Sequence, residues 1–246
     1  MARFFLPAKN IKGNRGLVED REFEHLRRVL RLDVGDPITL FDDSGREHEA
    51  VIRTLGVAQG EVEILRSYDA DKESALHITL GVGLTKGEKM DFVVEKATEL
   101  GVQSIVPFVS SFAVPKLDKK KIANRTERWH KIALSAAKQC GRTRVPEIYP
   151  LCEYQQLVDR PWPETLKLFS WERETAQSLG QVYENQREAK AVLLAIGPEG
   201  GFSKDEAHLA GAHGFHSVRI GRRILRAETA AIAFLSLVQF LWGDLR

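Results

Sequence analysis

The sequence predicts an α/β protein, a parallel sheet flanked by helices, with a small β-rich module on its N-terminal side. Three observations carry that expectation. Residues 76–82, 104–109, 166–170 and 192–196 are aliphatic runs suited to strands buried on both faces, and helical stretches separate them. The first 70 residues instead hold short strand-like runs. A polar, aperiodic stretch, residues 68–74, lies between the two regimes and is read as a linker, giving domains at 1–70 and 75–246. A chain of 246 residues is long enough to bury cores of this kind without disulfides or metals.

Taken in order, residues 3–6, 37–41, 47–54 and 61–67 read as strands, with Asp42-Asp43-Ser44-Gly45 as a hairpin turn. A helix over 22–30 places Phe23, Leu26, Val29 and Leu30 at helical spacing, with Arg27, Arg28 and Arg31 on or near its other side. After the linker, strand 76–82 leads into Gly81-Val-Gly-Leu-Thr-Lys-Gly-Glu-Lys89, which is no phosphate loop because Gly87-Glu88-Lys89 breaks the required order G-K-[ST]. Met90, Val93, Val94, Ala97 and Leu100 mark one helix face, Gly101 ends that helix, and strand 104–109 completes a βαβ unit. A long helix over 118–140 carries the stripe Ile122, Trp129, Ile132, Ala133, Ala136 and Cys140 and stops at Gly141.

The last third is the most informative. Strand 166–170 runs into Trp171-Glu172-Arg173-Glu174, and strand 192–196 breaks at Gly197-Pro198-Glu199-Gly200-Gly201-Phe202-Ser203. Ser203 and Glu206 form a capping box with Phe202 as its apolar N′ residue. A further strand closes at Gly221, two arginines bracket Ile224 and Leu225, and helix 230–242 is apolar all round, so it is buried within the domain or against a second subunit. By the rule that ligands sit beyond the carboxyl ends of parallel strands, the loops at 170–172, 197–201 and 220–226 should share one crevice.

Charge is uneven. Residues 116–145 carry ten Lys and Arg (Lys120, Lys121, Arg125 and Arg142 among them) against two acids, in a chain whose net charge is +2. This is either a phosphate-binding face or a solvated helix surface. Cys140 and Cys152 propose no disulfide framework, and the histidines make no metal motif. Neither a signal segment nor an apolar run of bilayer length is present, so a cytoplasmic protein is expected.

The phrases I-G-P-E-G-G-F-S and G-R-R-I-L-R-A-E-T-A-A resemble the two C-terminal motifs of the SPOUT class of S-adenosylmethionine methyltransferases. With H-L-R-R-V-L-R-L-D-V-G-D, K-G-E-K-M-D and A-A-K-Q-C-G-R-T-R-V-P-E-I, the chain resembles the RsmE family, which methylates N3 of a uridine in 16S rRNA. The resemblance implies a trefoil-knotted methyltransferase domain, a PUA-like RNA-holding N-terminal domain, S-adenosylmethionine with no metal, and a homodimer. The implied cofactor residues are Ser170, Glu172, Gly197, Pro198, Glu199, Gly200, Gly201, Ile220, Gly221, Ile224, Leu225 and Arg226; the implied RNA contacts are Arg27, Arg28, Arg31, Lys120, Lys121, Arg125, Gln139 and Arg142. Where the family tends to carry an arginine after the second strand of this domain, the chain has Phe112.

Methylating uracil N3 also requires its proton to leave, so a base or an anion-stabilising cation is needed. Arg226 is the candidate cation, being permanently charged and planar. Glu228 is the candidate base, with Glu172 and Glu199 as alternatives, and Glu228 equally suits a helix N-terminus. Competing readings are a non-catalytic ribosome-assembly protein, a methyltransferase for another RNA, attack at uracil C5 through Cys140 or Cys152, and a dinucleotide oxidoreductase. The last lacks the G-x-G-x-x-G fingerprint.

Overall fold

Two sheets, each with its own core, follow from two different hydrophobic patterns. The computed structural model describes residues 2–112, 119–171, 173 and 177–245. These divide into a first unit, residues 1–73 with 137–145, and a second, residues 74–136 with 146–246.

The first unit is a six-stranded sheet in the order β1-β4-β5-β6-β3-β2. Its strands are β1 (Ala2–Phe5), β2 (Ile11–Lys12), β3 (Arg15–Glu19), β4 (Pro37–Phe41), β5 (Arg46–Leu55) and β6 (Gln59–Asp69). Only β1 and β4 pair in parallel. Alternation puts Ile38, Leu40, Ala50, Ile52, Val62 and Ile64 on one face around Phe4, Phe23 and Leu26. Strands β2 and β3 were not expected; Gly16 in β3 and the short β2 give no clear period-two signal.

The expected helix over 22–30 is shorter and irregular. An α-turn, α1 (Asp20–Glu24), passes into a π-turn at His25–Val29, where the Leu30 N–H reaches His25 O at 3.0 Å. The wider turn rotates the face, so Phe23 and Leu26 are buried while Val29 and Leu30 are exposed, against the expected stripe. The linker also needs correction. β6 runs to Asp69, and Glu73 accepts hydrogen bonds from Arg142 Nε and Nη2 (3.0 and 2.7 Å) and from the Thr143 and Arg144 backbone N–H groups (2.9 and 3.1 Å). With Lys138 on Glu22 and Val145 N–H on Asp43, these bonds join residues 137–145 to the first unit, which a contiguous division at 1–70 and 75–246 does not include.

The second unit is an all-parallel sheet, ordered β10-β8-β7-β12-β11-β13, with β9 beside β8. Its strands are β7 (His77–Gly83), β8 (Ser104–Val109), β9 (Glu147–Ile148), β10 (Cys152–Glu153), β11 (Leu166–Ser170), β12 (Ala191–Ile196) and β13 (His216–Val218). Strand β12, aliphatic throughout, and β7 from Ile78 to Gly83 are buried on both faces. The helices are α2 (Lys89–Glu99), α3 (Lys119–Cys140), α4 (Tyr154–Asp159), α5 (Leu179–Asn185), α6 (Lys204–Ala212) and α7 (Ala227–Trp242). On α3 the buried residues include Trp129, Ala133, Ala136 and Ala137, and Cys140 is exposed rather than part of the stripe. Helix α7 begins three residues before the expected start; it buries Ala230, Ala231, Phe234, Leu235 and Val238 but leaves Leu237 and Phe240 exposed. Among the described residues no helix is long and apolar enough to cross a membrane.

Candidate active site

The register of three strands builds the site. Ser170, the last residue of β11, lies opposite Ile196, the last of β12, and opposite Val218, the last of β13. Parallel pairing therefore brings three loops out side by side at one end of the sheet, where parallel α/β sheets hold ligands. They line a cavity of about 470 Å³.

The loop after β12 is fixed from beneath. Phe202 is buried, with its ring 4.5 Å from Phe169, 5.2 Å from Tyr154 and 6.0 Å from Phe108, centroid to centroid. Ser203 Oγ accepts from Glu206 N at 3.1 Å and Glu206 Oε2 accepts from Ser203 N at 2.8 Å, so the expected capping box closes and starts α6. Glu206 is buried, and its other oxygen accepts from Ser111 N at 2.8 Å, tying the end of β8 to the same turn. Gly200 is required by close approach: a Cβ there would sit 2.7 Å from Phe112 Cβ. Phe112, where the family pattern departs, is therefore packed against Gly200, about half exposed.

Ser170, Gly197, Pro198, Glu199, Gly200, Gly201, Ile220, Ile224, Leu225 and Arg226 all line the cavity. Gly221 does not; with φ of +68° it turns the loop that presents its neighbours. Strand β13 ends at Val218, so Gly221 lies beyond the strand it was expected to close. Glu172 falls outside the described residues. Ile224 is 82% exposed although aliphatic, and with Pro198, Ile220 and Leu225 it offers apolar faces to a flat ligand.

Lys89 also lines the cavity and was not singled out from the sequence. Its Nζ lies 3.1 Å from Glu199 Oε1 and 3.8 Å from Glu228 Oε2. Burial alone would raise the Glu199 carboxyl, but hydrogen bonds from its own backbone N–H, from Lys89 and from the Lys86 N–H outweigh it and hold the group below the usual glutamate range. Glu228 does not line the cavity, and its Oε2 is sealed from solvent without a hydrogen-bond donor among the described residues. A signal for Lys89 existed, since it stands in the K-G-E-K-M-D phrase, but only folding shows that it reaches the loop after β12.

The expected RNA contacts are divided between the two units. Arg27 pairs with Asp33 at 3.1 Å and Arg28 with Glu24 at 3.4 Å, both on the surface of the first unit, and Arg31 is exposed in the left-handed region with φ of +54°. Lys120, Lys121 and Gln139 are exposed and Arg125 is half-buried. Arg142 is corrected: it is 4% exposed, with its guanidinium held by Glu73, a structural ion pair rather than a phosphate contact. Neither Cys140 nor Cys152 lines the cavity, and burial raises the Cys152 thiol. Among the described residues no group of His, Cys, Asp and Glu could hold a metal ion.

Residues 72–239 match the family model described as an RNA methyltransferase domain, and residues 18–62 match an RNA methyltransferase PUA domain. The chain is 33% identical to ribosomal RNA small subunit methyltransferase E of Synechocystis, covering 89% of this chain and 71% of that one. It is 28% identical to the Bacillus subtilis protein of the same name, covering 91% and 89%. Two solved structures are similar over nearly the whole chain, each with a TM-score of 0.91. One is the Neisseria gonorrhoeae small subunit methyltransferase E bound to S-adenosylmethionine, 36% identical and covering all of both chains. The other is a Legionella pneumophila methyltransferase with the same cofactor, 35% identical and covering 99% and 98%.

Proposed function

The chain belongs to the ribosomal RNA small subunit methyltransferase E family, and on that premise we propose that it methylates N3 of a uridine in 16S rRNA, using S-adenosylmethionine. The observation that carries the reading is the in-register ending of β11, β12 and β13 around a single lined cavity. The residues there suit the cofactor: apolar faces at Pro198, Ile220, Ile224 and Leu225 for an adenine ring, and loop backbone at 197–201 and 220–225 for its polar edges. When bound, the cofactor supplies an electrophilic methyl group on a cationic sulfonium.

The chain's own residues then have two tasks. The first is alignment, holding the ring nitrogen in line with the methyl group, for which the stitched turn at 197–203 gives a rigid floor. The second is charge. Arg226, exposed at the cavity edge and N-cap of α7, stabilises the uracil anion as the N3 proton leaves. Glu199, the described carboxylate that lines the cavity, takes that proton, while Glu228 works through Lys89 as a positioning residue.

The first unit, with Arg27, Arg28 and Arg31 on its surface, serves as an RNA holder. The exposed apolar side chains Phe92, Leu237 and Phe240 favour a homodimer built on α2 and α7, and the trefoil knot implied by the family likeness belongs to the same reading. The protein works in the cytoplasm, where ribosomal subunits are made. Nucleoside mass spectrometry of small-subunit rRNA from cells lacking the protein should show loss of 3-methyluridine, restored by the wild-type chain; an unchanged 3-methyluridine level would refute the assignment. Light scattering during size-exclusion chromatography should give a dimer mass, and a monomer at micromolar concentration would remove the interface.

A further inference from the structure

The loop after β13 holds more positive charge than the cofactor can use. Arg219, Arg222, Arg223 and Arg226 all line the cavity, and the last three are exposed. Among the described residues none of those three has a carboxylate partner, whereas Lys89, on the same wall, is paired with Glu199. Three guanidinium groups within five residues repel one another, so the rim is poised for an anion. S-adenosylmethionine does not answer that need, because its sulfonium and ammonium outweigh its one carboxylate. A row of exposed guanidinium groups at the edge of a cavity that takes a flat ring fits a ligand that alternates flat rings with phosphates, which is a nucleic-acid strand.

We infer that Arg222 and Arg223 form a phosphate clamp at the mouth of the cofactor cavity, gripping the RNA backbone beside the nucleotide that enters it. Guanidinium forks hold phosphate bidentately, and the clamp sets the register of the strand rather than reading its bases. Neither residue was expected to touch RNA from the sequence. The clamp rests on the rRNA methylation reading, from which its test is separable.

The test measures binding of an in vitro transcript of small-subunit rRNA to the full-length protein across a range of salt, and binding of S-adenosylhomocysteine by calorimetry. For Arg222→Ala/Arg223→Ala, the log–log salt slope should become shallower by about two, with weaker binding to all transcripts. Affinity for S-adenosylhomocysteine should stay within about twofold. The Arg222→Lys/Arg223→Lys protein should recover most of the slope, because Lys keeps the charge while losing the fork. An unchanged slope in the alanine protein overturns the clamp. So does a parallel loss of S-adenosylhomocysteine binding, which would place both arginines in the cofactor seat. Wild-type protein that binds the cofactor product but no RNA would instead defeat the rRNA reading itself.

Discussion

Two arginine-rich stretches, residues 119–145 and 219–226, have opposite fates. In the first, Arg142 is buried on Glu73, Arg144 donates to Ser44 O at 2.8 Å, Lys138 pairs with Glu22 at 2.8 Å, Arg128 with Asp91 at 2.5 Å, and Lys131 with Glu127. In the second, Arg222, Arg223 and Arg226 stand exposed around a cavity with no acidic partner among the described residues. The longer stretch, less dense in basic residues, is thus largely tied up in pairs within the protein, and the shorter, denser one is available to a ligand. Acids distant in sequence, Glu22, Glu73 and Asp91, make the difference.

The comparison breaks most directly at Glu73. Replacing it with Ala strands a buried guanidinium and two backbone N–H groups, and should cost about 3–5 kcal/mol of folding stability by urea denaturation. A loss below about 1 kcal/mol would mean the first stretch is not structural. Arg226→Ala tests the second stretch: it should lower the rate of methyl transfer by roughly a hundredfold to a thousandfold while leaving thermal unfolding near wild type. Equal loss of stability would place Arg226 with the structural arginines.

A titration sharpens the contrast at the cavity wall. Because Glu199 ionises below its unfolded value, its contribution to stability is present above the ordinary glutamate range and is lost as pH falls through the lowered value. Glu199→Gln should flatten the acid limb of the stability–pH curve, and an unaltered limb would show that the Lys89 contact contributes nothing. The smallest effect is expected at an exposed pair on α3: Glu127→Ala should change stability by no more than about 0.5 kcal/mol, within the range of surface ion pairs.

How much was legible beforehand varies with the range of the interaction responsible. Strand β11 and the turn 197–203 could be read closely, because aliphatic runs, a capping box and glycine at a close approach are encoded within a few residues. The exposed Val29 and Leu30 were misread because a π-turn changes the angular step per residue, which composition does not announce. Arg142 was misread because its partner lies 69 residues away.

By itself, then, the chain determined the parallel-sheet class, the ends of β11 and β12 and the residues that crowd those ends, since these depend on local periodicity and turn chemistry. Only the tertiary structure decided which charges remain available, that Lys89 meets Glu199 and that Glu228 Oε2 is shut off from solvent, because pairing across the sheet is set by register rather than by neighbours along the backbone.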